Sequence, residues 1–257
     1  MNKLNFNDFV FDYEPYPIGV CRGVFAPDHY RRLVEDFPPI ELFGNFPDGK
    51  SYKKALSELY RPTVYHQFIR KTPVYLELYR YIKSRAFIHD VLDCFESNQI
   101  RLRLHQTKIV SSTSCLLGPM FQKLEKVKKR LRLKQGLNAR FEFSALPSNG
   151  GSIRPHTDQP AKIITLVISI LQDGDWDPAW KGGTEILRPK DIRKSYNFFN
   201  EYLEFDECET LRTIDYVPNQ CILFLKTFNS LHSVAPIRGS EEKPVLRKTL
   251  TINIEWA

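Results

Sequence analysis

Cysteine is scarce and unpaired in this chain of 257 residues: there are five, Cys21, Cys94, Cys115, Cys208 and Cys221, with no C-x-x-C spacing. An odd, scattered set argues against a disulfide framework and against a cysteine zinc site. A reducing cytoplasm is the compartment expected. Long apolar runs are missing too. The longest, Ile163 to Leu171, is nine residues and includes Thr165 and Ser169, far short of the ~20 needed to cross a bilayer. The first residues carry acids and no continuous apolar stretch, so neither a signal peptide nor a membrane partner is expected. No Gly/Ser-rich linker and no internal repeat divides the chain. A single domain over 1–257 is therefore expected, with a mainly helical layer over 1–135 and a β-rich core over 136–257.

Charge is present in excess of one sign, with a net of +7. Much of it sits in KLEKVKKRLRLK (123–134), which has seven basic residues and one acid. Leu124, Val127, Leu131 and Leu133 run through this segment as an apolar stripe. A helix over 120–134 with a solvated basic face explains that pattern without a nucleic-acid partner. The lack of interleaved aromatic residues also weighs against single-strand binding.

Proline placement and 3.6-residue spacing predict helices in APDHYRRLVEDF, PVYLELYRYIKS (73–84) and RAFIHDVLDCFE (85–96). Alternation over 98–110 predicts a strand. From about residue 136 the texture changes to short strands: NARFEFSAL (138–146), KIITLVISIL (162–171), GGTEIL (182–187), QCILFLK (220–226) and LRKTLTINIEW (246–256). Strands after helices predict an α+β fold, a β-sandwich or jelly roll packed against N-terminal helices.

His156 and Asp158 stand two apart before the β-branched run, a spacing that points both to one side of a strand. His232, 74 residues beyond Asp158 and just after an apolar strand, is the third candidate ligand. His29 and His89 lie in expected helices, and His66 and His105 have no acid beside them. All four are read as structural. Two histidines and one carboxylate leave a metal's opposite face open, which suits non-haem Fe(II) taking up oxygen and a co-substrate. A structural zinc would be closed by four ligands.

H-x-D, a distant histidine and a basic residue beyond it resemble the Fe(II)/2-oxoglutarate-dependent oxygenase superfamily. Segment 156–189, the closing half NQCILFLKTFNSLHSVAPI…LRKTLTINIEW and the opening APDHYRRLVEDFP are similar to its prolyl 4-hydroxylase-like branch. The resemblance covers 138–257 well and the rest loosely. It implies a double-stranded β-helix of the jelly-roll or cupin-like kind and three metal ligands, His156, Asp158 and His232. It also implies a basic anchor for the far carboxylate of 2-oxoglutarate, which the branch places nine or ten residues after the second histidine. Here Arg238 is six, Lys243 eleven and Arg247 fifteen residues after His232. Arg247 shares a strand face with Thr249, Thr251 and Asn253. A guanidinium fork there, with the Thr249 hydroxyl, suits a carboxylate. Arg247 is therefore the expected anchor and Lys243 the second choice, with RGSEEKP (238–244) read as an inserted loop.

Thr165 matches the threonine with which the family contacts the co-substrate. Arg140 and Glu142 either touch co-substrate or substrate, or form an in-sheet ion pair. Gly182 and Gly183 are read as a tight turn, and 188–216 as a lid. The implied activity is hydroxylation of an unactivated C–H bond with Fe(II), 2-oxoglutarate and O2, releasing succinate and CO2, with ascorbate supportive in vitro. Desaturation or ring closure is the variant outcome, and Asp158 disfavours halogenation. A small metabolite or biosynthetic intermediate is the expected substrate, ahead of a protein side chain. Two rivals differ in class: a cupin-like metal isomerase or hydrolase, and a non-catalytic jelly-roll binding module.

Overall fold

The computed structural model describes residues 3–45, 53–110, 136–239 and 245–257. The alternating run after residue 136 becomes strand β5 (Leu137–Pro147), and its two faces meet different neighbours. Phe141 and Phe143 are fully buried against the helical layer, while Arg140, Glu142 and Ser144 line a cavity on the other side. Strand β12 (Leu246–Trp256) pairs with β5 over its whole length, from Leu246↔Pro147 to Trp256↔Leu137. Its apolar face, Leu250, Ile252 and Ile254, is wholly buried, each side chain contributing about 1.5–3 kcal/mol by leaving water.

These two strands sit within an antiparallel sheet of eight. Beyond β12 come β7 (Lys162–Ile170), β10 (Gln220–Leu225), β2 (Ile18–Arg22) and β1 (Val10–Asp12); beyond β5 come β4 (Lys54–Ser57) and β3 (Gly44–Asn45). A second sheet runs in the order β6 (Ile153–His156), β11 (His232–Val234), β8 (Thr184–Pro189) and β9 (Cys208–Ile214). Two smaller apolar clusters join the sheets, one containing Ile186, Ile222 and Phe224, the other Leu146, Trp176 and Val234. Both give residues to the cavity wall. This is the two-sheet jelly roll expected.

The helical layer packs on the outer face of the large sheet. It comprises α1 (Pro27–Glu35), α2 (Pro62–Lys71), α3 (Pro73–Ile82) and α4 (Arg85–Ser97). Three of the four begin at proline, whose fixed φ suits a first helical position; α4 instead has Ser84 accepting the Phe87 N–H as an N-cap. Tyr75 and Phe68 meet Phe143 edge-on at 4.9 and 5.5 Å. Among the described residues no helix is long and apolar enough to cross a membrane.

The structure departs from the sequence expectation in several places. The first half also supplies β1 to β4, because β2 pairs with β10 and β4 with β5. Residues 98–110 are not a strand. Positive φ at Gln99 and Arg103 breaks their extension, and among the described residues their pairing is one bridge, Ile109↔Leu137. The stretch 188–216 is not all lid, since β9 pairs with β8 inside it. The basic helix expected at 120–134, and Lys243, lie outside the described residues.

Candidate metal centre

Strand β6 ends at His156, and the chain turns away through Asp158 at φ 74°, a left-handed conformation that aspartate tolerates better than most residues. The turn, rather than a shared strand face, swings the carboxylate back beside the imidazole. His232 opens β11 as the register partner of His156. One donor atom from each of His156, Asp158 and His232 lies within 4.8 Å of the others, and His156 Nε2 is 3.7 Å from Asp158 Oδ1. Each imidazole Nδ1 is 2.9 Å from a backbone oxygen, Arg154 O for His156 and Ser230 O for His232. Nδ1–H donating to those carbonyls leaves both Nε2 lone pairs for a metal. Two imidazoles and one carboxylate thus fit a divalent first-row ion with open positions.

Charge in the cluster suits ligation. Burial, then the neighbouring His232, pushes the His156 imidazole down to about 3. Burial also lowers His232, against the pull of Asp158. For Asp158 burial works upward, yet the Lys162 ammonium and the two imidazoles outweigh it and hold the carboxyl well below its usual range. Lys162 Nζ lies 2.5 Å from Asp158 Oδ1, and Thr165 donates its hydroxyl to Asp158 Oδ2 at 2.9 Å. Thr165 therefore orients the Asp158 carboxylate, with Asn253 Oδ1 3.1 Å away on the adjoining strand.

Thr157 ties the ligand turn to the connection between β8 and β9. Its N–H donates to Asn200 Oδ1 at 3.2 Å and its hydroxyl to Asn197 O at 2.5 Å, while Lys226 Nζ donates to Thr157 Oγ1 at 2.9 Å. Leu203 N–H adds a bond to Pro155 O, and Tyr202 stacks on His156 at 5.5 Å. The segment expected as a lid is a strap bolted to the ligand turn.

A cavity of about 470 Å³ opens between the sheets at the cluster, within the range of small-molecule sites. Arg247, Thr249, Thr251 and Asn253 all face into it, as the alternation of β12 requires. Arg247 is buried; its Nε donates to Gly182 O at 2.5 Å and its guanidinium lies 4.8 Å from the Tyr216 ring centroid. Among the described residues no carboxylate lies within ion-pair distance of it, and burial lowers its pKa with only Tyr216 opposing. Gly182 sits at φ 83°, where a Cβ would fall 2.7 Å from the Trp176 ring, so the turn that offers its carbonyl to Arg247 requires glycine.

Arg140 lines the same cavity, but its guanidinium bonds Glu255 at 3.2 and 3.3 Å and lies 3.6 Å from Glu142. That is the in-sheet ion pair, with Glu142 also held by Lys53 at 2.7 Å. His29, His66, His89 and His105 do not line the cavity. His105 does have an acid partner, because α4 brings Asp93 to 2.8 Å. Sequence reading passed over Lys162, Thr157, Tyr202 and Arg154, each of which lines the cavity or ties down the turn carrying His156 and Asp158. Period two from His156 along β6 would have found Arg154, while Tyr202 enters from a connection without periodicity.

No family model matches the sequence, and no curated protein matches it. Solved structures do resemble it. A prolyl 4-hydroxylase from Phytophthora capsici superposes with a TM-score of 0.50 at 15% identity, over 93% of this chain and 59% of that one. The chain thus spans about 59% of that enzyme's length. A prolyl hydroxylase from Trichoplax adhaerens, solved with a peptide fragment of a hypoxia inducible factor, gives 0.44 at 10% identity over 93% and 83% of the two chains. A Pseudomonas putida prolyl-4-hydroxylase gives 0.31 at 20% over 54% and 65%. The chain has the fold of the first of these, a double-stranded β-helix.

Proposed function

We propose that this protein is an Fe(II)- and 2-oxoglutarate-dependent dioxygenase that hydroxylates a C–H bond of a small metabolite or biosynthetic intermediate. The observation that carries the reading is Arg247. A buried guanidinium with no carboxylate partner among the described residues faces the cavity that holds the His156, Asp158 and His232 donors. Burying an unpaired cation is unfavourable, and a dianionic co-substrate supplies the missing charge. Arg238 lies outside this cavity and Lys243 outside the described residues; Arg247 is the anchor in this reading, with Thr249 beside it.

Bound iron, with 2-oxoglutarate and O2, supplies the oxidising power, coupling decarboxylation to succinate and CO2 with oxygen insertion into the C–H bond. The protein's own work is placement. His156, Asp158 and His232 present three donors to one side of the ion, and Thr165 and Lys162 fix the carboxylate's orientation. Arg247 grips the far carboxylate at the other end of the cavity wall. The facing sheets and their apolar clusters exclude bulk water. The test is succinate formation from 2-oxoglutarate with added Fe(II) and ascorbate; failure in wild type, with metal still bound to His156→Ala, would exclude the reading.

Peptidyl hydroxylation is the second reading. Tyr196, Phe199 and Phe228 are exposed beside the strap, Tyr196 stacking on Phe228 at 5.3 Å, a surface that an extended peptide would cover.

A further inference from the structure

The charges around the cavity do not balance, and the imbalance falls on one side chain. Lys53 and Arg140 face Glu142 and Glu255 as ion pairs on the β5–β12 wall. Arg247 lies at the end assigned to the co-substrate. Lys162 holds Asp158, but a divalent ion bound to that carboxylate leaves the ammonium less than one counter-charge. Arg154 is placed differently. Its Nε is buried without a hydrogen-bond partner among the described residues, an arrangement unfavourable enough to require an explanation. Its ion partner there is Glu204, 3.4 Å away and 61% exposed, where water screens the attraction.

The same side chain is held in a fixed attitude. Its guanidinium lies over Tyr202, 5.4 Å from the ring centroid, and Tyr202 in turn stacks on His156. A guanidinium lying over a ring presents its N–H groups at the edges, where they can take an oxyanion; here, among the described residues, Nη1 meets only the exposed Glu204 and Nε is without a partner. Arg154 precedes His156 by two residues on β6 and both line the cavity, so the two side chains leave one face of the strand from Cα atoms about 7 Å apart.

We propose that Arg154, stacked on Tyr202 and assisted by Lys162, binds an anionic group, carboxylate or phosphate, of the molecule to be oxidised. The primary substrate is then a small acid or phosphate ester whose reacting carbon lies a few bonds from the anion. The anion site stands on its own geometry; its role toward the substrate rests on the oxygenase reading above.

The test is calorimetric titration of the protein, with Mn(II) and 2-oxoglutarate bound, with inorganic phosphate, propionate and the neutral propionamide. One of the two anions is expected to bind saturably and propionamide not at all; which anion binds separates a phosphate ester from a carboxylic acid. Arg154→Gln is expected to weaken that anion by roughly tenfold or more, as loss of a bidentate charge-assisted contact does, while Mn(II) and 2-oxoglutarate affinities stay unchanged. Tyr202→Leu, which removes the stacking platform and no charge, weakens the anion severalfold and guards against a folding defect in the first variant. Saturation by neither anion, equal binding by Arg154→Gln, or equal binding of propionamide would overturn the proposal. If Mn(II) and 2-oxoglutarate fail to bind wild type, the oxygenase reading fails instead. Phosphate and propionate titrated into the metal-free protein then decide the Arg154 site alone.

Discussion

His156 and His232 face each other as register partners across the β6–β11 pair, with ring centroids 4.3 Å apart. Backbone pairing therefore sets their separation before any ion arrives, and Asp158 is brought alongside by its own turn. A preformed set of this kind predicts a graded response to substitution. Thr165→Val, which removes the hydrogen bond to Asp158 Oδ2, is expected to weaken Mn(II) by ~10–100-fold, as loss of an outer-shell partner does. Asp158→Ala or His232→Ala weakens it further. Calorimetric Mn(II) titration of the three variants checks the order.

Arg247 offers a separation of function from stability. Arg247→Met removes a buried cation that has no acidic partner among the described residues and puts an apolar chain of similar length in its place. Thermal stability of the protein without 2-oxoglutarate is expected to hold or rise, since replacing buried charge by well-packed apolar groups is often neutral or stabilising. Affinity for 2-oxoglutarate is expected to fall by ~100-fold, the loss of a doubly hydrogen-bonded ion pair, with Mn(II) affinity unchanged. A drop in melting temperature with unchanged 2-oxoglutarate binding would assign Arg247 to the scaffold.

Thr157 connects ligand turn and strap through one hydroxyl that donates to Asn197 O and accepts from Lys226. Thr157→Val leaves Lys226 Nζ with its bonds to Asn197 O and Thr227 O alone. The expected loss is about 1–3 kcal/mol of stability, from two lost hydrogen bonds, one of them to an ammonium. Thr157→Ser is expected to restore most of it. Urea midpoints of the pair measure the difference.

Acid sensitivity follows from the buried imidazoles. His156 stays neutral in the folded protein down to about pH 3, whereas an ordinary histidine titrates at 6.5. Between those values the unfolded chain carries a proton that the folded one lacks, so the stabilising contribution is complete above 6.5 and is lost as pH falls toward 3. His232 and Asp158 shift in the same direction, Asp158 acting only at the acid end. The metal-free protein is expected to lose on the order of 1.4 kcal/mol per pH unit for each such group. His156→Asn should make the decline in urea midpoint from pH 6.5 to 4.5 shallower. A wild-type midpoint flat over that range would contradict the shift.

Much of the core was legible in the chain because alternation is a local signal. The LRKTLTINIEW pattern predicted β12 to the residue, and with it the inward face of Arg247, Thr249, Thr251 and Asn253. Pro27 and the spacing after residue 73 likewise marked α1, α3 and α4. The three candidate donors were picked by residue type and do lie together, yet for a partly mistaken reason, since Asp158 converges through a positive φ and not along a strand. What stayed hidden depends on distant pairing. Strands β2 and β4 are short and carry no clear alternation, and they become strands because β10 and β5 offer them edges. Tyr202 and Asn200 are held at the site by bonds from their connection to Thr157 and Pro155, far away in the sequence. The family's spacing of nine or ten residues fitted none of Arg238, Lys243 and Arg247, and it was alternation along β12 that put Arg247 first and Lys243 second.

The central claim is that three donors and one anchoring guanidinium serve a single reaction. The most direct test is the ratio of succinate formed to 2-oxoglutarate consumed, with Fe(II) and O2, in wild type, Asp158→Ala and Arg247→Met. The account predicts stoichiometric, iron-dependent succinate from wild type, none from Asp158→Ala, and recovery of Arg247→Met only at much higher 2-oxoglutarate. Iron-independent turnover, or succinate from Asp158→Ala at the wild-type rate, would contradict it.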